Sequence, residues 1–365
     1  MFSQKTKKAS YVRPNDPGRG TIGRVIFTTD KESENAMNDK HNQHARVDSD
    51  TIAVIILNWN SLDHTRRCLE SLFEQTYKNL YIIVIDNAST GGEGAVLKDL
   101  FPAIDVIEEK VNLGFARGVN EGLRRAFEVG AEKVLLLNND SWFDPNEPTI
   151  NLLKSALDEQ PALGGVGPVV YEGDNPNIIQ SAGHRFNLFT GYPHRILAGR
   201  RRGEPIPTKR PSYIVGACLL MPSAVLRRIG GMDPDYFLYG DDIDLALNMR
   251  RSGFYQALEP RASIYHLKAA ATTMWSENHT YTMLRSHLIL LKKHARWFHL
   301  PTLIPSIAII TVGLMVFGIK NGHPLAIKGA LRAWFDFITG RWGGYRGGYL
   351  SGDRGILEPD CALPT

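Results

Sequence analysis

Several common protein signatures are missing from this chain. It has three cysteines in 365 residues, Cys68, Cys218 and Cys361, far apart and without C-x-x-C spacing. That excludes a disulfide framework and a cysteine zinc site, and it fits a reducing compartment. Residues 1–50 hold no apolar run of signal-peptide length, so the catalytic part is expected in the cytoplasm. No segment recurs at a solenoid-like period. The formal net charge is only +4, too small a surplus to imply nucleic acid as a partner. The first apolar run is followed by neither G-x-G-x-x-G nor a P-loop lysine, which argues against a dinucleotide oxidoreductase. What remains is a globular composition, 43% hydrophobic and 22% charged, with material for a sizeable core.

Residues 1–50 are polar and without apolar period, and they read as a flexible tail. At Thr51 the character changes. Ile52–Leu57 is an unbroken apolar run stopped by Asn58-Trp59-Asn60, the pattern of a strand buried on both faces. A helix over 62–75 follows, with Leu69, Leu72 and Phe73 on one side, then a strand over Leu80–Ile85 ending at Asp86-Asn87-Ala88-Ser89. A helix near 93–100, a strand around Ile104–Glu108, a helix over 116–129 and a strand over Lys133–Leu137 complete the alternation. Such a pattern predicts a doubly wound, mostly parallel α/β sheet.

The polar clusters stand immediately after the first, second and fourth strands: Asn58 and Asn60, Asp86 and Asn87, and Asn138, Asn139 and Asp140. Each alone could be a turn or a cap. Three at successive carboxyl ends of a parallel sheet are expected to meet in the ligand crevice.

Eight segments in order then resemble a family-2 glycosyltransferase of the GT-A fold, on its rhamnosyltransferase-like branch. They are Val54–Asn60, Val84–Ser89, Asn112–Asn120, Leu137–Asp140, Gly216–Met221, Gly230–Asp233, Phe237–Asp244 and Tyr265-His266, spread from about Ile52 to Thr273. The resemblance implies that Asp86 reads the nucleotide base. A carboxylate can accept the imide N–H of uracil or thymine, so dTDP- or UDP-linked sugars are the expected donors. It implies donor contacts from Asn58, Asn60, Asn87, Asn112, Gly114, Asn120, Asn138, Asn139 and Gly216, with Gly114 and Gly118 allowing close backbone approach.

Asn138-Asn139-Asp140 stands where the family has its D-x-D motif, so the resemblance makes Asp140 the residue that holds Mg2+ or Mn2+ against the sugar diphosphate, with His266 as a further ligand. Asn138 replaces the family's first Asp and removes one charge. Phe237–Asp244 places three acids at a helix start. Acids also suit a helix N-terminus for electrostatic reasons, but capping does not need three. By resemblance Asp242 is the general base of an inverting transfer, and Asp241 stands where a Glu is usual. Asn248 occupies a place where the family often has Arg.

Residues 300–319 carry no charge and are long enough to cross a bilayer. Pro301 and Pro305 crowd the start, and both flanks are basic. From Arg285 to Arg346 there are nine Lys or Arg and one acid, Asp336, with interfacial aromatics such as Trp297, Trp334 and Trp342. The absence of a Lys/Arg asymmetry favours a monotopic or re-entrant hairpin on an anionic leaflet, with a true span and a soluble helical domain as the rivals. The expected organisation is a tail over 1–50, a catalytic domain over 51–280, a membrane-associated helical region over 281–346 and a tail over 347–365. The expected activity moves a sugar, plausibly rhamnose, to a lipid-linked saccharide acceptor at the cytoplasmic face of the inner membrane. A catalytically impaired scaffold on the same fold and a nucleotidyltransferase are the alternatives.

Overall fold

Both faces of the central sheet are covered, which is why its first strand can be apolar throughout. In the computed structural model, which describes residues 46–206, 210–267 and 275–341, the chain runs β1 (Ile52–Asn58), α1 (Leu62–Glu74), β2 (Leu80–Asp86), α2 (Glu93–Leu100), β3 (Asp105–Glu108), α3 (Phe115–Glu128) and β4 (Lys133–Asn138). These strands pair in parallel in the order β3-β2-β1-β4. Ile52, Val54 and Ile56 face Leu69 and Leu72 of α1, while Ala53 and Ile55 face Val119 and Leu123 of α3. The register sets Asn58 beside Asp86 and Leu57 beside Asn138, so the polar strand ends do meet at one edge.

The second half adds β5 (Ser141–Trp142), α4 (Thr149–Asp158), β6 (Leu163–Glu172), β7 (Ile179–Ser181), the hairpin β8 (His184–Asn187) and β9 (Tyr192–Arg195), β10 (Cys218–Pro222), α5 (Ser223–Ile229), α6 (Asp241–Arg251) and β11 (Tyr255–His266). The sheet continues β10-β6-β11-β5, and β10 is antiparallel to both of its neighbours. The sheet is therefore mixed, and β5 brings residue 141 antiparallel to His266.

Three details depart from the sequence reading. Phe73 is not on the buried side of α1: it is 40% exposed and stacks on Phe101 with centroids 5.8 Å apart, because one residue beyond Leu72 the helix has turned its side chain away from the sheet. Residues 46–50 are tied down, with Val47 N donating to Val129 O at 3.0 Å and Asn79 Nδ2 donating to the Asp48 carboxylate at 3.0 Å. Gly118 faces Leu57, where a Cβ would come within 2.5 Å of a Leu57 methyl, so its smallness serves helix-on-strand packing. Residues 1–45 of the tail expected over 1–50, the tail expected over 347–365, and Trp342 lie outside the described residues.

Beyond β11 come α7 (Glu277–His294), a 3-10 turn (Trp297–His299), α8 (Leu300–Lys320) and α9 (Ala326–Ile338). Ile289 and Leu290 of α7 join the core that includes Leu245 and Met249 of α6, while Tyr281, Leu284 and Leu288 pack with Ala330 and Ala333 of α9. One helix thus belongs to both the catalytic and the C-terminal cores. Its anchor is Asp244, 1% exposed, which accepts from Lys293 Nζ at 2.7 Å, His294 Nε2 at 2.6 Å and Asn248 Nδ2 at 2.8 Å. Burial pushes the Asp244 carboxyl up, but the His294 and Lys293 contacts outweigh it and hold the group below its ordinary value. The resulting stabilisation is complete above the ordinary carboxylate value and lost as pH falls through the lowered folded one. Asp244→Ala leaves His294 and Asn248 without their buried acceptor, while Lys293 keeps its ion pair with Asp233 at 2.7 Å, and should cost about 1–3 kcal/mol of unfolding free energy for each buried group left unpaired, read from denaturant melts near neutral pH.

Candidate active site

The site is assembled around Asn58, which has no solvent exposure. Its Nδ2 donates to Asp86 Oδ1 at 2.9 Å, to Glu93 Oε2 at 2.9 Å and to Ser89 Oγ at 3.2 Å, while its Oδ1 accepts from Thr65 Oγ1 at 2.6 Å. Thr65 in turn accepts from Asn139 Nδ2 at 2.9 Å. A single buried chain, Asp86–Asn58–Thr65–Asn139, therefore runs from the end of β2 to the residue before Asp140. Asn58 was expected to touch the donor; its amide is instead consumed inside the protein, and it orients Asp86. Asn60 adopts a left-handed φ of +48° and accepts from Thr90 N at 2.8 Å, closing the turn above Asp86.

A second group shapes the next loop. Asn87, also buried, donates from Nδ2 to Asn112 Oδ1 and to Gly114 O, both at 3.1 Å, and accepts from Leu113 N at 2.8 Å. Gly114 has φ +80°, and a Cβ there would lie 2.3 Å from the Phe237 ring, so the loop can rest on the 233–240 segment only with glycine at this place. Asn120 is likewise internal: its amide pairs both ways with the Met232 backbone, at 2.8 and 2.9 Å. Asn87 and Asn120 thus position loops, a correction to their expected donor contacts, with the same physical cause as for Asn58: each polar atom is already paired.

At the end of β4 the groups are of another kind. His266 Nε2 lies 3.1 Å from Asp140 Oδ1 and 3.5 Å from Asn138 Nδ2. Its other nitrogen, Nδ1, is 2.8 Å from Gln180 Oε1, and Gln180 Nε2 donates to the His266 carbonyl at 3.0 Å. Gln180 Oε1 is an amide oxygen and can only accept, which places a proton on Nδ1 and leaves Nε2 directed at Asp140. Asn138 Oδ1 is buried without a hydrogen-bond partner. An imidazole nitrogen facing a carboxylate, beside an unpaired amide oxygen, is a donor set that fits a hard divalent cation. Among the described residues no cluster of three or more His, Cys, Asp or Glu forms a closed metal site, so the remaining ligands would have to come from elsewhere.

Opposite stands α6. Gly216 N donates to Asp242 Oδ1 at 3.0 Å, and a Cβ at Gly216 would sit 2.7 Å from that oxygen, so glycine is what lets the backbone hold this carboxylate. Desolvation pushes Asp242 up to about 6, against the lowering effects of the Gly216 amide and of His266. Asp241, 6% exposed, is pushed far above the usual carboxylate range by burial and by the charge of Asp242. The third acid, Asp244, is the structural anchor described above. Gln180 was not found from sequence, since nothing local to Ile179-Gln180-Ser181 distinguishes it; only the pairing of β7 with β6, next to β11, brings it to His266.

This geometry defines a nucleotide-diphosphosugar transferase of the GT-A class, and a solved structure shares the fold: GalNAc-T7 crystallised with UDP, GalNAc and Mn2+ matches with a TM-score of 0.52 and 13% identity, over 76% of this chain and 61% of that one. Residues 53–230 match the family described as glycosyl transferase family 2. By these matches the chain is similar to family-2 glycosyltransferases, rhamnosyltransferases among them. It is 25% identical over 273 residues to the N-acetylglucosaminyl-diphospho-decaprenol L-rhamnosyltransferase of Mycobacterium tuberculosis, covering 69% of this chain and 88% of that protein. It is 24% identical over 319 residues to the dTDP-rhamnosyl transferase RfbF of Shigella flexneri, covering 82% and 99% respectively.

Because Asn58 serves four partners at once, Asn58→Ala should destabilise the protein by about 1–3 kcal/mol for each buried group it strands, a loss that thermal and denaturant unfolding would register. Unfolding parameters equal to wild type would show that the chain from Asp86 to Asn139 does not hold the site together.

Proposed function

We propose that this protein is an inverting, divalent-metal-dependent glycosyltransferase that moves rhamnose from a dTDP- or UDP-linked donor to a lipid-linked saccharide, in cell-surface polysaccharide synthesis at the cytoplasmic face of the membrane. The observation that carries the reading is the convergence of Asp140, His266 and the Gly216-bonded Asp242 at the strand ends of a family-2 domain. The names of the mycobacterial and Shigella relatives support the sugar, the thymidine nucleotide and the lipid acceptor. A scaffold without activity is disfavoured by the shaping of Asp242, whose raised proton affinity has no structural use.

Asp86, held by Asn58 and Ser89, offers its carboxylate to the imide N–H of the base. Asp140 and His266 would hold the cation, which supplies neutralisation of the charge that builds on the leaving diphosphate. Asp242 accepts the proton of the acceptor hydroxyl as that oxygen attacks the anomeric carbon from the face opposite the diphosphate, inverting it. A group with its proton affinity near 6 is a competent base at neutral pH and a spent one below. Burial and the charge of Asp242 raise the proton affinity of Asp241 beside it.

Turnover by the wild type should fall about tenfold per unit as pH drops below about 6, and Asp242→Asn should lose at least ~10²–10⁴ in rate with nucleotide affinity nearly intact. Transfer by Asp242→Asn within threefold of wild type would sink the base assignment. For the metal, Mn2+ binding in the presence of dTDP, followed by electron paramagnetic resonance, should weaken about 10–100-fold in Gln180→Ala, since the imidazole loses its orienting partner, and should be retained in Gln180→Glu, which can still accept from Nδ1. Binding unchanged in Gln180→Ala, or turnover untouched by EDTA, would refute it.

A further inference from the structure

The helix α8 is the one helix among the described residues long and apolar enough to cross a bilayer, with mean hydropathy 2.2 over its best window. The contacts at its two ends settle how it can sit. Near its start, Phe189 at the tip of the β8–β9 hairpin packs edge-on against His299 at 4.6 Å, and Ser306 Oγ donates to the Thr190 carbonyl of the same hairpin. Near its end, Phe317 stacks on Trp275 at 5.4 Å; Trp275 packs on His279, and His279 packs on Tyr239, the residue before the Gly240 that opens α6. Between these points Trp334 of α9 donates to Thr311 at 3.2 Å. A 21-residue helix is about 31 Å long, roughly the thickness of the hydrocarbon core. If α8 crossed that core, its two ends would lie on opposite sides of it, yet both ends rest on the same catalytic domain.

The face left over is apolar and broad. Ile304, Ile309 and Val312 of α8 are 65, 72 and 57% exposed, and Leu331 and Ile338 of α9 are 60 and 75% exposed. The sequence reading missed that the catalytic domain contributes as well: Phe189 and Tyr192 at the hairpin tip are 48 and 62% exposed, beside the start of the helix. The charge is one-sided. Arg296, Lys320 and Arg341 are exposed in this region and Lys328 is paired with Glu277 at 3.2 Å, whereas the single acid between Arg285 and Arg341, Asp336, is buried and bonded to Tyr281 at 2.8 Å. An apolar face rimmed by cations, with no exposed carboxylate of its own, complements an anionic lipid surface and not a second copy of itself.

We propose that α8, α9 and the Phe189–Tyr192 tip form one in-plane anchor that inserts into the headgroup–acyl boundary of an anionic bilayer without crossing it. Through the Phe317–Trp275–His279–Tyr239 stack, this anchor seats the segment that leads into Asp241 and Asp242 close to the lipid surface. The proposal deepens the functional reading above, from which it takes only the lipid-linked acceptor.

The test uses full-length protein and vesicles of phosphatidylcholine with or without phosphatidylglycerol. Nitroxide labels are placed singly at Ile304→Cys, Val312→Cys and Ile319→Cys in a Cys361→Ser background, Cys68 and Cys218 being buried. Flotation with the anionic vesicles is expected, together with one shared shallow depth for the three labels, about 5–10 Å below the headgroups. The outer two labels lie about 22 Å apart along the axis, so a graded depth would reveal a spanning helix and overturn the proposal. Three water-exposed labels, or no flotation, would also overturn it, as would a lipid-free dimer broken by Phe189→Glu, which would give the face to a second copy. Phe189→Glu should weaken vesicle partitioning at least tenfold while leaving donor hydrolysis in free solution unchanged; unchanged partitioning removes the hairpin from the anchor. Failure of donor hydrolysis in every variant and in the wild type would count against the transferase reading and leave the depth pattern to decide the anchor alone.

Discussion

The ends of β2 and β4 are tied together by one asparagine that never meets solvent. Asn58 ends β1, the strand between β2 and β4, so its side chain bonds directly to Asp86 at the end of β2 and, through Thr65, to Asn139 beyond the end of β4. An aspartate in its place would set a negative charge against Asp86 and Glu93, and an apolar residue would leave both carboxylates and Thr65 to pair elsewhere. An amide has both a donor and an acceptor, and here both are used. The carboxylate of Asp86 and the D-x-D-like turn are in this way parts of one hydrogen-bonded body.

The fold was legible in the sequence because its first half is locally consistent. Ile52–Leu57, Leu80–Ile85 and Lys133–Leu137 are apolar runs bounded by polar stops, and the structure places strands at all three. The mixed second half was not legible, since β5 has two residues and β7 has three, too short for a period to show. Asp140, Asp242, Gly216 and His266 were singled out because each stands in a segment that resembles a family motif, and the structure places Asp140 against His266 and Gly216 against Asp242. What the sequence did not distinguish is which polar residues face the ligand and which face the protein. Asn58, Asn87 and Asn120 look no different in sequence from Asn138; only burial and partner count separate them.

The C-terminal region shows the same division. Its apolar run and basic flanks were plain in the composition, but the expected boundary near residue 280 misses that α7 is integral to the catalytic core. Lys293 counts in sequence as a basic flank residue, yet it is shared between Asp244 and Asp233, and Arg285 is buried with its Nη1 donating to Asp235 O at 3.2 Å. The charge that remains available at the surface is accordingly smaller than the sequence total and confined to the exposed Lys and Arg of the later helices.

The three acids at the start of α6 show why the count of charges in a motif is less informative than their surroundings. Within one helical turn, the His294 and Lys293 contacts hold Asp244 below the ordinary carboxylate value despite its burial, burial and the charge of Asp242 push Asp241 well above it, and burial opposed by the Gly216 amide and His266 raises Asp242 to about 6. Environments that drive neighbouring carboxyls apart in proton affinity assign separate roles to chemically identical groups. Asp244 fastens α7, the burial of Asp241 raises its proton affinity, and Asp242 is held by the Gly216 amide. Because α7 also carries α8 and α9, Asp244 is the residue that ties the position of Asp242 to the apolar C-terminal helices.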